Sequence, residues 1–243
     1  MPEKDPIKIA EDFAVDLEKA FGENLQAVLL VGSAARGDFV PGKSDINTLV
    51  ILSPPGMDTL EKAYPVLKNY QRQNLAVPHF MTAESVRHSL DSYPLEILDF
   101  KTFHRVVLGP DVLSDLVIPH QPLRLQIERE ARGKLLLLRQ ALAIHAGQER
   151  ELSGVLRRAL SAFAAIFQGI MELEKRPIPA DRAKLFAEAE AIAGLSAEVF
   201  QKIADLRAGR APQPAAGEVR ALFKGLLREV NRLVAWVDAY KAT

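Results

Sequence analysis

Two apolar runs bracket a polar loop in the first quarter of the chain: LQAVLLV at 25–31 and INTLVILS at 46–53, with Gly-Ser at 32–33 following the first and Ser-Asp at 44–45 preceding the second. Short runs rich in valine, leucine and isoleucine, bounded by glycine and proline, read as strands covered on both faces. Two such strands joined by one loop bring Gly32, Ser33 and Asp45 to neighbouring strand ends. This pattern points the segment toward layered α and β structure rather than a helical array.

The surrounding sequence fits that layer. Residues 6–21 place Ile7, Ile9, Ala10, Phe13, Leu17, Ala20 and Phe21 near helical spacing, with Gly22 as a stop. After Pro54-Pro55-Gly56 the spacing predicts a helix over 57–72, interrupted at Pro65. LAVPHFM at 75–81 reads as a third strand, and Pro78 within it favours a sheet edge or a bulge over a central position. Thr82 reads as a helix N-cap, with Ser85 where a capping box prefers Glu or Gln. LEILDF at 95–100 and RVVL at 105–108 are read as two further short strands. Beyond Pro119 and Pro122 the texture becomes helical throughout, with spans expected at 122–146, 149–175, 181–193, 196–208 and 215–240. Short connections between them imply antiparallel neighbours in a bundle.

Several function classes drop out early. The chain has no cysteine, so disulfides, thiolate-zinc sites and cysteine nucleophiles are excluded. The first twenty residues carry charges at helical spacing instead of an apolar signal core, and no apolar span approaches 20 residues, so a cytoplasmic protein without membrane contact is expected. The five histidines show no metal-ligand spacing; His79 is the one that would meet a phosphate or a base if the third strand borders the loop. Formal charge is balanced overall, yet residues 1–120 carry 11 basic against 17 acidic side chains and residues 121–243 carry 20 against 14. The second part can therefore attract an anionic partner.

The loop itself carries chemistry. Gly32 permits close backbone approach, Ser33 offers a hydroxyl and an N–H to phosphate oxygens, and Asp45 is a hard oxygen ligand of the kind Mg²⁺ prefers. Over residues 25–53 the ordered set Gly-Ser, Ala-Arg-Gly and Ser-Asp between two apolar strands resembles the nucleotidyltransferase superfamily of the DNA polymerase β type, and within it the minimal and antibiotic-modifying enzymes.

The resemblance implies an α+β fold: a mixed sheet with flanking helices over residues 1–120, followed by an all-α up-down bundle over 121–243. It implies transfer of a nucleoside monophosphate from an NTP, with Mg²⁺, to an acceptor that the sequence does not identify. Gly32 and Ser33 would hold the triphosphate, and Arg36, Lys43 and Ser44 would lie within reach of it. In that family three carboxylates usually hold two Mg²⁺ ions. Here the Asp-x-Asp of the second strand stands as Asp45-Ile46-Asn47, so the second ligand position holds a neutral amide. The third strand has no acid; a later register nominates Glu96, as third ligand or general base, over Asp99, which would face the other side of a strand. Two readings stay open: an active transferase that tolerates Asn47, and a catalytically inactive nucleotide-binding sensor or interaction module. The bundle would wall the acceptor, its positive surplus suiting an anionic one, and offers a face for pairing with a second copy.

Overall fold

The computed structural model describes residues 5–42, 44–210 and 217–241, with the backbone alone for Ser161. The described residues divide into two compact units: one runs to residue 92 and includes 96–118, and the other comprises 93–95 and the chain from 119 onward.

In the first unit the entry helix α1 spans Pro6–Phe21, started by Asp5, whose carboxylate accepts the Ile7 N–H at 3.0 Å. Strand β1 (Leu25–Val31), the one-turn helix α2 (Ser33–Arg36) and strand β2 (Asn47–Leu52) follow. Between β2 and the next strand come two helices, α3 (Pro54–Met57) and α4 (Ala63–Tyr70). Strand β3 (His79–Met81), helices α5 (Ala83–His88) and α6 (Pro94–Thr102) and strand β4 (His104–Leu108) complete the unit. The sheet order is β3-β2-β1-β4. β1 runs antiparallel to both β2 and β4, while β2 and β3 are parallel. β3 is thus an edge strand, and it is shorter than the 75–81 expected: it starts after Pro78, with Leu75 in an isolated bridge to Ile46.

β1 and β2 read as continuous apolar runs because both faces of the central strands are covered. One face, carrying Val28, Leu30, Val50 and Leu52, packs on Ile9, Phe13 and Leu17 of α1. Enclosing Phe13 or Leu17 stabilises the unit by roughly 1.5–3 kcal/mol each. Tyr70 of α4 closes the same core, its ring edge-on to Phe13 at 5.3 Å and its hydroxyl donating to Asp16 at 2.9 Å.

Three local expectations are corrected. The helix expected over 57–72 is broken into α3, a tight turn at Leu60–Lys62, α4 and a second tight turn at Gln71–Gln73. Pro65 falls in the first turn of α4, where its missing N–H has no intrahelical partner to lose. The capping box at Thr82 is complete with serine: Ser85 N–H donates to Thr82 Oγ1 at 2.9 Å, and Thr82 N–H donates to Ser85 Oγ at 2.8 Å. Most consequential, LEILDF is not a strand but the body of α6. Pro94 occupies its first position and Glu96 its first turn, both helix-start preferences.

The second unit is helical: α7 (His120–His145), α8 (Glu149–Leu173), α9 (Arg182–Ala193), α10 (Ala197–Ala208) and α11 (Glu218–Ala239). Phe163 and Phe167 of α8, Phe186 of α9 and Phe200 of α10 form its aromatic core, with Phe167 and Phe200 edge-to-face at 4.8 Å. Gly169 lets α8 press close, since a Cβ there would lie 2.7 Å from Leu95 Cδ2 and 2.8 Å from Ile127 Cδ1. Buried Glu229 of α11 accepts the Ser196 N–H at 2.9 Å and so serves the start of α10. Among the described residues no helix is long and apolar enough to cross a membrane.

Candidate active site

The ends of β1 and β2 are joined residue to residue: Val31 pairs with Asn47, the first residue of β2. Gly32 then turns the chain at φ 72° and ψ −146°, a conformation that is essentially glycine's own. A Cβ at Gly32 would lie 3.3 Å from Asn47 Nδ2, so close approach also selects glycine here. α2 starts immediately, its Arg36 N–H donating to Gly32 O at 2.9 Å. Gly37 and Asp38 both donate their N–H groups to Ser33 O, at 3.0 and 3.1 Å, which ends the helix after one turn.

Ser44 closes the rest of the loop on itself. Its N–H donates to Val40 O at 2.8 Å and its Oγ accepts the Val40 N–H at 3.0 Å. Asp45 follows with its side chain exposed, and its carbonyl faces Asn47 Nδ2 at 3.5 Å. Lys43 lies outside the described residues. Gly32, Ser33, Asp45 and Asn47 are thus gathered at adjoining strand ends.

Arg36 is held differently from a cation waiting in a loop. Its side chain is only 9% exposed, Nη2 meets Asp99 Oδ1 at 2.6 Å, Nη1 lies 3.9 Å from Asp38 Oδ2, and the guanidinium stacks on Phe103 at 4.6 Å. A short charge-assisted bond together with a stack fixes both distance and plane of the fork. Arg36 therefore ties the turn to α6. Because 95–100 is helical, the strand alternation that favoured Glu96 over Asp99 does not apply. Asp99 of α6 and Phe103, the residue just past the helix, stand one turn apart, Phe103 N–H donating to Asp99 O at 3.0 Å, and meet Arg36 together, whereas Glu96 is exposed in the first turn. Reading 94–102 as a helix is the signal that finds Asp99 and Phe103; the strand reading hides it.

The sheet face opposite the α1 core carries Asn47 and Leu49 of β2. His79 of β3 is paired with Leu49, and His104 of β4 with Val31. Paired residues share a face, so His79 and His104 lie on the Asn47 side of the sheet. His104 is fully engaged: Nδ1 is 3.0 Å from Lys101 O and Nε2 is 3.1 Å from Asp111 Oδ2. Burial pushes the Asp111 carboxyl up, but the Leu113 and Ser114 N–H groups and His104 outweigh it and hold it below the usual carboxylate range. His79 is exposed and packs its ring on Phe100 of α6 at 5.2 Å.

The donor set decides what metal this place can take. Among the described residues no three His, Asp or Glu side chains come together as metal ligands. Asp45 with the neutral Asn47 does not fit a resident pair of divalent ions. A single carboxylate does suit Mg²⁺ that arrives on a triphosphate, since Mg²⁺ is usually held by one or two carboxylates and substrate phosphates.

Residues 12–104 match the family model of the nucleotidyltransferase domain. The span begins inside α1, ends at the first residue of β4, and encloses the turn, Asp45, Asn47, β3 and α6. Over this segment the chain is similar to nucleotidyltransferase domains. Among solved structures, the whole chain is similar to the spectinomycin adenyltransferase of Enterococcus faecialis, crystallised with ATP and spectinomycin. The identity is 14%, the match covers 94% of this chain and 98% of that one, and the TM-score is 0.51. At that identity the likeness is one of fold, and it takes in the helical unit as well as residues 12–104. No curated protein matches the sequence.

Proposed function

We propose that the chain transfers a nucleoside monophosphate from an NTP, arriving with Mg²⁺, to a hydroxyl of a small acceptor. The observation that carries this reading is the contact between turn and strand: a glycine held at positive φ, where a Cβ would lie 3.3 Å from Asn47 Nδ2, directly before Ser33 and beside Asp45. In this reading the Gly32–Ser33 turn receives the triphosphate, Asp45 takes one coordination position of the incoming Mg²⁺, and the Asn47 amide oxygen offers a neutral second contact. Such catalysis is largely positioning and charge stabilisation, so a missing carboxylate lowers rate more than it changes chemistry. Ser44 and Arg36 act by shaping the loop. The division of labour at about residue 120 belongs to the same proposal, and the surplus of basic residues in 121–243 favours an acceptor with anionic character.

The adenyltransferase of similar fold was solved with ATP and spectinomycin, which makes these the first pair to try. Wild type and Asp45→Ala are assayed for pyrophosphate release from ATP, GTP, CTP and UTP with Mg²⁺, with and without spectinomycin. The reading expects release by wild type and its loss in Asp45→Ala. Nucleotide binding without any release would instead support the sensor reading, which Asn47 favours by removing a negative ligand from the second strand.

A further inference from the structure

Resting on the transfer reading above, we propose that His79 is the proton acceptor for the attacking hydroxyl. Transfer to a hydroxyl needs a group that takes its proton, and that group must face the reacting centre beside Asp45 and Asn47. Only two titratable side chains on that sheet face belong to its strands, His79 and His104. His104 has both ring nitrogens occupied, by Lys101 O at 3.0 Å and Asp111 Oδ2 at 3.1 Å. His79 has neither nitrogen hydrogen-bonded among the described residues and is exposed, with its ring braced only by Phe100 at 5.2 Å.

Its position suits the role. His79 pairs with Leu49 in the parallel ladder, and Asn47 lies two residues back on the same face. Neighbouring strands are about 4.8 Å apart and residues two apart rise about 6.6 Å, so His79 stands roughly 8 Å from Asn47. That gap admits a phosphoryl group and the oxygen attacking it. Asp99, the acid on the neighbouring helix, is engaged by Arg36 at 2.6 Å. An imidazole is moreover the side chain suited to accept a proton near neutral pH.

In the step, an oxygen lone pair of the acceptor hydroxyl forms a bond to the α-phosphorus. The bond from that phosphorus to the oxygen bridging the β-phosphate breaks, and its electron pair leaves with pyrophosphate. The hydroxyl proton passes to a free nitrogen of His79 and from there to solvent.

The test compares wild type, His79→Gln and His79→Ala for pyrophosphate release from Mg²⁺-ATP, with spectinomycin or water as acceptor, and for ATP affinity by calorimetry. The proposal expects a 10²- to 10⁴-fold fall in turnover with ATP affinity unchanged, and partial recovery of His79→Ala by added imidazole. Turnover within threefold of wild type, or a loss that imidazole leaves untouched, would overturn it while leaving the transfer reading intact. No release by wild type would overturn the transfer reading and this proposal with it.

Discussion

The turn after β1 and the start of β2 face each other across one residue pair, yet they are held to very different degrees. On the turn side four residues are held: Gly32 by its backbone conformation, Ser33 O by two N–H donors, Arg36 by Asp99 and Phe103, and Ser44 by a reciprocal pair with Val40. On the strand side Asp45 is exposed, Asn47 is a neutral amide, and neither ring nitrogen of His79 is hydrogen-bonded among the described residues. The geometry of the turn and the number of acids on the strand that faces it are therefore set by different contacts. Under the proposed function, a rigid turn would receive the anion while the facing strand offers a single carboxylate, Asp45, to the metal.

The largest expected effect breaks the turn side from outside. Asp99→Ala leaves the Arg36 guanidinium mostly buried with only Asp38 at 3.9 Å, and should destabilise the first unit by about 2–3 kcal/mol. Urea denaturation measures the loss, and Asp99→Asn, which keeps an acceptor for the guanidinium, should recover part of it. Next, Gly32→Ala forces a Cβ into a glycine-only conformation 3.3 Å from Asn47 Nδ2 and should cost about 1–3 kcal/mol together with nucleotide affinity. The same change at Gly37, where a Cβ meets nothing within 4 Å, should leave affinity nearer wild type. If both substitutions weaken nucleotide binding alike, the turn is not the special element.

How much of this was legible in the sequence follows from burial. β1 and β2 could be read directly because strands covered on both faces must be apolar throughout, and Pro78 marked the sheet edge because proline cannot donate to an inner ladder. The helical unit was legible from its spacing, with observed ends within a few residues of those expected. α6 was not: in LEILDF the apolar Leu95 and Ile97 alternate with Glu96 as in a strand, and only Pro94 with Glu96 points to a helix start. That misreading also concealed the partner of Arg36, since Asp99 and Phe103 align only at helical spacing. Asp45 and Asn47 could be found from the motif, but the clasp formed by Ser44 depends on a loop conformation that residue type does not encode.

Smaller effects sharpen the contrast at the periphery. Thr82→Ala removes one half of the capping box at α5 and should cost about 1 kcal/mol, with nucleotide affinity unchanged, because it touches neither side of the comparison. Asp111→Asn tests His104, the engaged histidine of the sheet face. The Asp111 carboxyl is held below its usual range when folded, so its contribution is fully present above the unfolded value near pH 4 and is lost as pH falls through the folded one. Wild type should therefore exceed Asp111→Asn in stability at pH 7, with the difference shrinking below about pH 4. A gap that does not change with pH would contradict a stabilising role for the ionised Asp111 carboxylate.

The most direct test of the central claim is calorimetric titration of ATP, with and without Mg²⁺, into wild type and Asp45→Ala. A rigid turn facing a single carboxylate predicts ATP binding by wild type that Mg²⁺ strengthens, and loss of that Mg²⁺ dependence in Asp45→Ala. Equal Mg²⁺ dependence in both proteins would contradict it.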